Sequence, residues 1–191
     1  MDLAQSIAAG DKDWDRLYHV IGRITVTLNS AHWCVFELMG ILQNTDREDT
    51  APIFYSLRAD KAQRELTQAI AKNRLRDPRE QALLTEINQA IDELGKIAGK
   101  RNSFIHTHWT MSHGSDGYQF TTAENVPVKL NLENPFADGD NLLERIDHII
   151  DDLLDLCGRA ERAPSVEKLH SQTGPRHNRR TIPTPTPTPR T

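Results

Sequence analysis

Apolar residues step along the first part of the chain in alternating threes and fours. Trp14, Leu17, Ile21, Ile24, Leu28, Ala31, Val35, Leu38 and Leu42 fall on one face of a helix sustained over about four heptads. Asp11 or Asp13 can cap its start. Thr25, Val26 and Thr27 are β-branched or hydroxylated and weaken the helix locally, but burial of such a stripe outweighs propensity. A loop is expected through Asn44-Thr45-Asp46 to about Pro52. A second helix follows, from Ile53 or Leu57 to Leu75, with Ala62, Leu66, Ala69 and Ile70 inward. Asp77-Pro78-Arg79-Glu80 reads as a helix start, with Asp77 as N-cap, Pro78 at the first helical position and Glu80 closing a capping box. The third helix then buries Leu83, Leu84, Ile87, Ala90, Ile91, Leu94, Ile97 and Ala98 on one face.

The period changes after that. Trp109-Thr110-Met111 and Tyr118-Gln119-Phe120-Thr121-Thr122 favour strands, and His113-Gly114-Ser115-Asp116-Gly117 between them is turn chemistry. A last helix is expected after Asp140, burying Leu142, Leu143, Ile146, Ile149, Ile150, Leu153 and Cys157. The pattern predicts an all-α, up-and-down helical bundle with a small β-hairpin inserted before the last helix.

Charge divides the chain in two. The net charge of the 191 residues is −4. Residues 164–191 hold four Arg and one Lys against one Glu, a net +4, which leaves −8 on residues 1–163. Six of the ten prolines also lie in that last stretch, three of them in Thr184-Pro185-Thr186-Pro187-Thr188-Pro189. Such a segment buries too little to offset its ordering entropy, and alternating Thr-Pro favours extended polyproline II. Two parts are therefore expected: a folding unit over 1–163 and a disordered basic Thr/Pro-rich tail over 164–191. The tail would be a solvated spacer, a docking peptide or an electrostatic RNA tether.

No apolar run approaches the ~20 residues of a membrane span, and Met1-Asp2-Leu3-Ala4 lacks the basic region of a secretory signal. Cys34 and Cys157 are too few for a disulfide framework and lie on apolar faces as inert thiols. A cytoplasmic protein is expected, with no membrane partner. Ser30 and Ser56 lack an adjacent base or a Gly-rich elbow, which argues against a serine hydrolase. No Gly-rich phosphate loop is present.

The chemistry concentrates in Lys100-Arg101-Asn102-Ser103-Phe104-Ile105-His106-Thr107-His108-Trp109, at the end of the third helix. Asn102 and His106 are an i, i+4 pair. Arg101 and His106 are separated by about 140° on a helix, but a helix end can bring both to one edge. A histidine can exchange a proton with a ribose 2′-hydroxyl or a leaving 5′-oxygen. An arginine fork fits phosphate oxygens and the extra charge of the transition state. This set suits cleavage of RNA without a metal, leaving a 2′,3′-cyclic phosphate. Arg101 and His106 also suit simple capping of a helix C-terminus, where cations complement the dipole. His108 is a second proton carrier. Trp109 would stack on a base or close the bundle as a core residue. Lys96, Lys100 and Arg101 form a basic edge that can guide a phosphate backbone. Gly95 and Gly99, one turn apart, would permit close approach of another backbone, such as a dimer partner. His106, His108 and His113 cluster, but no cysteine or carboxylate stands with them at a metal-ligand spacing, so neither metal nor cofactor is expected.

The run Arg101-Asn102-Ser103-Phe104-Ile105-His106 resembles the Arg-x-x-x-x-His motif of the HEPN superfamily, including the Asn that often follows Arg. Its placement late in one helix of a small bundle, with a further helix to follow, is also similar. The resemblance implies a HEPN-like bundle and a metal-independent endoribonuclease. Such proteins include toxins of toxin–antitoxin pairs and phage-defence effectors. It implies a homodimer in which Arg101, Asn102 and His106 of both copies line one composite cleft, and it admits an antitoxin or defence partner. Beside it, the residues themselves offer Lys100, His108 and Trp109 as RNA contacts. The alternative within the resemblance is a catalytically inactive HEPN-like module that acts in dimerisation or in protein or RNA binding.

Overall fold

A computed structural model describes residues 3–106, 109–114, 117–122 and 135–173. The described chain is mostly helical. Its elements in order are α1 (Leu3–Gln43), α2 (Arg47–Ser56), α3 (Asp60–Arg74), a 3₁₀ turn at Pro78–Glu80, α4 (Gln81–His106), strands β1 (Trp109–Gly114) and β2 (Gly117–Thr122), α5 (Pro135–Glu161) and α6 (Pro164–Thr173). β1 and β2 pair antiparallel, from Trp109 opposite Thr122 to Gly114 opposite Gly117. No helix among the described residues is long and apolar enough to cross a membrane.

One core runs through the bundle. The α1 stripe of Leu17, Ile24, Leu28, Ala31, Val35, Leu38 and Leu42 is fully buried. It packs most extensively against α5, with α3, α2, α4 and α6 around it. From α5 come Leu142, Leu143, Ile146, Ile149 and Leu153, and from α4 Ile87, Ile91, Leu94 and Ile97. Trp14 and Ile21 of α1, Leu84 of α4 and Ile150 of α5 sit at the edge of this core, partly buried. The helices form because their apolar positions recur at helical spacing and share one interior.

Several boundaries differ from the sequence expectation. Helix α1 begins at Leu3 and α5 at Pro135, both ahead of the expected starts. The expected loop to Pro52 is largely helical. Asp46 caps α2 by accepting from the Asp49 N–H at 2.9 Å. Phe54 anchors the helix in the core, so α2 persists although Pro52 removes one helical hydrogen bond. The chain then breaks before α3, whose fully inward residues are Gln63, Thr67 and Ala71; of the expected inward set, Leu66 and Ile70 pack partly buried against the core, while Ala62 is half-buried and Ala69 exposed. Gln63 faces inward because its Nε2 donates to the Leu57 and Phe54 carbonyls, at 3.0 and 3.3 Å. These carbonyls lie at the end of α2, where helical partners run out.

Asp77 caps the 3₁₀ turn by accepting from the Arg79 N–H. Glu80 does not close a capping box. It is buried, and its carboxylate accepts from the Ser165 N–H and hydroxyl. The boundary expected at 163/164 therefore falls inside packed chain. Pro164–Thr173 is helical, with Val166 fully buried. Residues 174–191 lie outside the described residues.

Candidate functional site

The last turns of α4 are oriented by Phe104. It is fully buried, and its ring lies 5.4 Å from that of Trp109. Trp109 is half-buried, and its Nε1–H donates to the Phe104 carbonyl at 3.0 Å. This bond satisfies a carbonyl at the helix C-terminus and fixes the start of β1. Trp109 therefore serves packing and capping here. With Phe104 inward, helical geometry turns Asn102 and His106 outward together. Both are exposed, as is Lys100. His108 lies outside the described residues.

Arg101 takes another direction. Its side chain is 21% exposed, and Nη2 lies 3.9 Å from Asp60 Oδ2 at the start of α3. The same oxygen lies 3.5 Å from His32 Nε2 on α1. Arg64, one turn after Asp60 on α3, belongs to the same junction. Its guanidinium lies over Gly95, where an added Cβ would sit 3.5 Å from Nε. The close approach at Gly95 is thus made by a side chain of the same copy. Gly99 has nothing within 4 Å among the described residues. Burial pushes the His32 pKa down. Asp60 opposes that shift, while Arg64 and Arg101 add to it.

The motif thus divides between two surfaces. Asn102 and His106 share an exposed face, while Arg101 joins His32, Asp60 and Arg64 between α1, α3 and α4. His32, Asp60 and Arg64 were not singled out from sequence. His32 follows Ala31 of the apolar stripe, and the other two sit one turn apart on a charged helix, so only tertiary packing gathers them. Elsewhere, the groove between α4 and α5 is lined by Glu86, Glu93, Asp152, Asp155 and Arg159. Arg159 there pairs with Glu86 at 2.9 Å, which leaves the groove acidic and unsuited to a polyanion. Among the described residues no three His, Cys, Asp or Glu side chains gather as a metal ion requires. No protein-family model, curated protein or solved structure matches this chain.

Proposed function

We propose that this protein is an endoribonuclease of HEPN type, cleaving RNA by attack of the ribose 2′-hydroxyl on the adjacent phosphorus. The observation that carries the reading is the Arg101–His106 run at the C-terminal end of a bundle helix, with Asn102 and His106 side by side and exposed. His106 transfers the proton, Asn102 orients the imidazole or a phosphate oxygen, and Arg101 turns from Asp60 toward the cleft to stabilise the phosphorane charge. In this reading the protein is a cytoplasmic homodimer. Two exposed Asn102–His106 faces meet in it, and the two Lys100 side chains flank the cleft. A toxin or phage-defence role, held in check by a partner protein, fits that activity.

The second reading is a non-cutting helical module for dimerisation or for protein or RNA binding. It is favoured by the engagement of Arg101 with Asp60 and its limited exposure. One experiment separates the two. Purified wild type and His106→Ala are incubated with structured and unstructured RNAs, with and without chelator. Fragments ending in 2′,3′-cyclic phosphate from the wild type alone, unaffected by chelator, support the enzyme. Identical fragment patterns from both proteins would sink it.

A further inference from the structure

The junction of α1, α3 and α4 is unusual in its unmet hydrogen-bonding capacity. Among the described residues, five buried side-chain nitrogen or oxygen atoms lack a hydrogen-bond partner. Four are here: both ring nitrogens of His32, Nη1 of Arg64 and Nε of Arg101. Buried polar groups are rarely left so, and each exception calls for an explanation. The contacts to Asp60, at 3.5 and 3.9 Å, are much longer than the ~2.7–2.9 Å of a formed charge-assisted bond. Asp60 thus sits among these groups without saturating them.

We propose that His32, Arg64 and Arg101 form a phosphate-recognition subsite with Asp60 as its internal competitor. It rests on the nuclease reading for its ligand, an RNA phosphodiester. The donor set selects the ligand class. Guanidinium groups only donate, and two of them repel a metal cation. They match phosphate oxygens bidentately, and donors from three helices suit a tetrahedral array of acceptors better than a planar one. Burial keeps His32 neutral, so the positive charge comes from the two arginines. Asp60, Glu65 and Asp92 face Arg64. Of these, Asp92 accepts from Gln68 at 2.9 Å and Glu65 pairs with Lys61 at 3.6 Å. Asp60 is the carboxylate at the centre. Its side chain is half-exposed and can swing outward when a phosphate enters. Sequence spacing placed Arg101, with its neighbours Lys96, Lys100 and Asn102, at the phosphate. The junction adds Arg64 and His32.

The test follows the Arg64 and Arg101 Nε–H signals and the His32 ring signals of the full chain by NMR. The chain is titrated with a 2′-O-methyl oligoribonucleotide, which binds but cannot be cut, and separately with inorganic phosphate. The oligonucleotide is expected to shift all three sets. Arg64→Gln should weaken binding about tenfold or more, the loss expected for one charge-assisted contact. Asp60→Asn should strengthen it. If inorganic phosphate shifts the three sets and the oligonucleotide does not, the RNA assignment is overturned in favour of a free-phosphate site. If neither ligand shifts them, or if Arg64→Gln and Asp60→Asn both bind like the wild type, the subsite is overturned. Binding without cleavage removes the nuclease and keeps the subsite. Cleavage with unchanged binding by both variants does the reverse.

Discussion

Ser165 donates both its backbone N–H and its hydroxyl to the Glu80 carboxylate, at 2.8 and 2.6 Å. Glu80 thereby caps α6 from outside, on a residue 85 positions earlier in the chain. A buried carboxylate with two charge-assisted bonds is costly to orphan or delete. Glu80→Ala is expected to destabilise the protein by about 2–3 kcal/mol, and Ser165→Ala by about half of that. Urea unfolding checks both. Unchanged midpoints would restore the view that 164 begins a free tail.

Gly139 of α5 lies tightly against Val20 of α1. A Cβ built there would lie 2.4 Å from Val20 Cγ1, far inside contact distance. Gly139→Ala should therefore cost about 1–3 kcal/mol through overpacking, even though alanine is the better helix former. The companion Val20→Ala change should recover part of that loss in a double-mutant cycle. Gly22, with nothing within 4 Å among the described residues, is the contrast. Gly22→Ala should gain up to about 1 kcal/mol from helix propensity.

Burial pushes the Cys34 thiol up to about 11 and that of Cys157 higher still. Both are free and buried, with Cys157 Sγ 3.7 Å from the Cys34 carbonyl. At pH 8 neither supplies a thiolate. Iodoacetamide should label both rapidly in denaturant and neither in the native protein over the same time, as read by mass spectrometry. Rapid native labelling would contradict the packing of α1 on α5.

His32 gives the fold a pH dependence of defined sign. Burial lowers its pKa below the ordinary 6.5, against the pull of Asp60 and with the push of Arg64 and Arg101. The unfolded chain then binds the proton more tightly than the fold, so stability rises with pH between the two values. The contribution is complete above about 6.5 and is lost as pH falls through the folded value. Urea unfolding from pH 7.5 down to 5 should show that decline, and His32→Gln should flatten it. An equal slope in the variant would assign the dependence to other groups.

The long helices were readable because their partners are each other's apolar stripes. Leu17 to Leu42 and Leu83 to Ala98 carry their burial in their spacing. Helix α3 was legible only in part: Leu66 and Ile70 pack on the core, but its buried positions include the polar Gln63 and Thr67. These side chains bury only because the Leu57, Phe54 and Gln63 carbonyls receive them. Helix α6 was lost in the average composition of 164–191. Its anchors are Val166 and the distant Glu80, and neither leaves a periodic trace. At the candidate site, Arg101, Asn102 and His106 stand together in the sequence, but the fold turns Arg101 toward Asp60 and away from the other two. His32, Asp60 and Arg64 come from two other helices and needed the fold.

Helix α1 has 41 residues, a length of roughly 60 Å at ~1.5 Å per residue. The neighbour it packs against most is α5, which follows only after α2, α3, α4 and the two strands. During synthesis its apolar face emerges well before α5 and waits for its main partner while the intervening chain is made. The nascent chain therefore exposes a long sticky surface over that interval. Contacts of such large sequence separation close late. This protein is expected to depend on chaperone protection while it is being translated, and to misfold when its synthesis stops before α5.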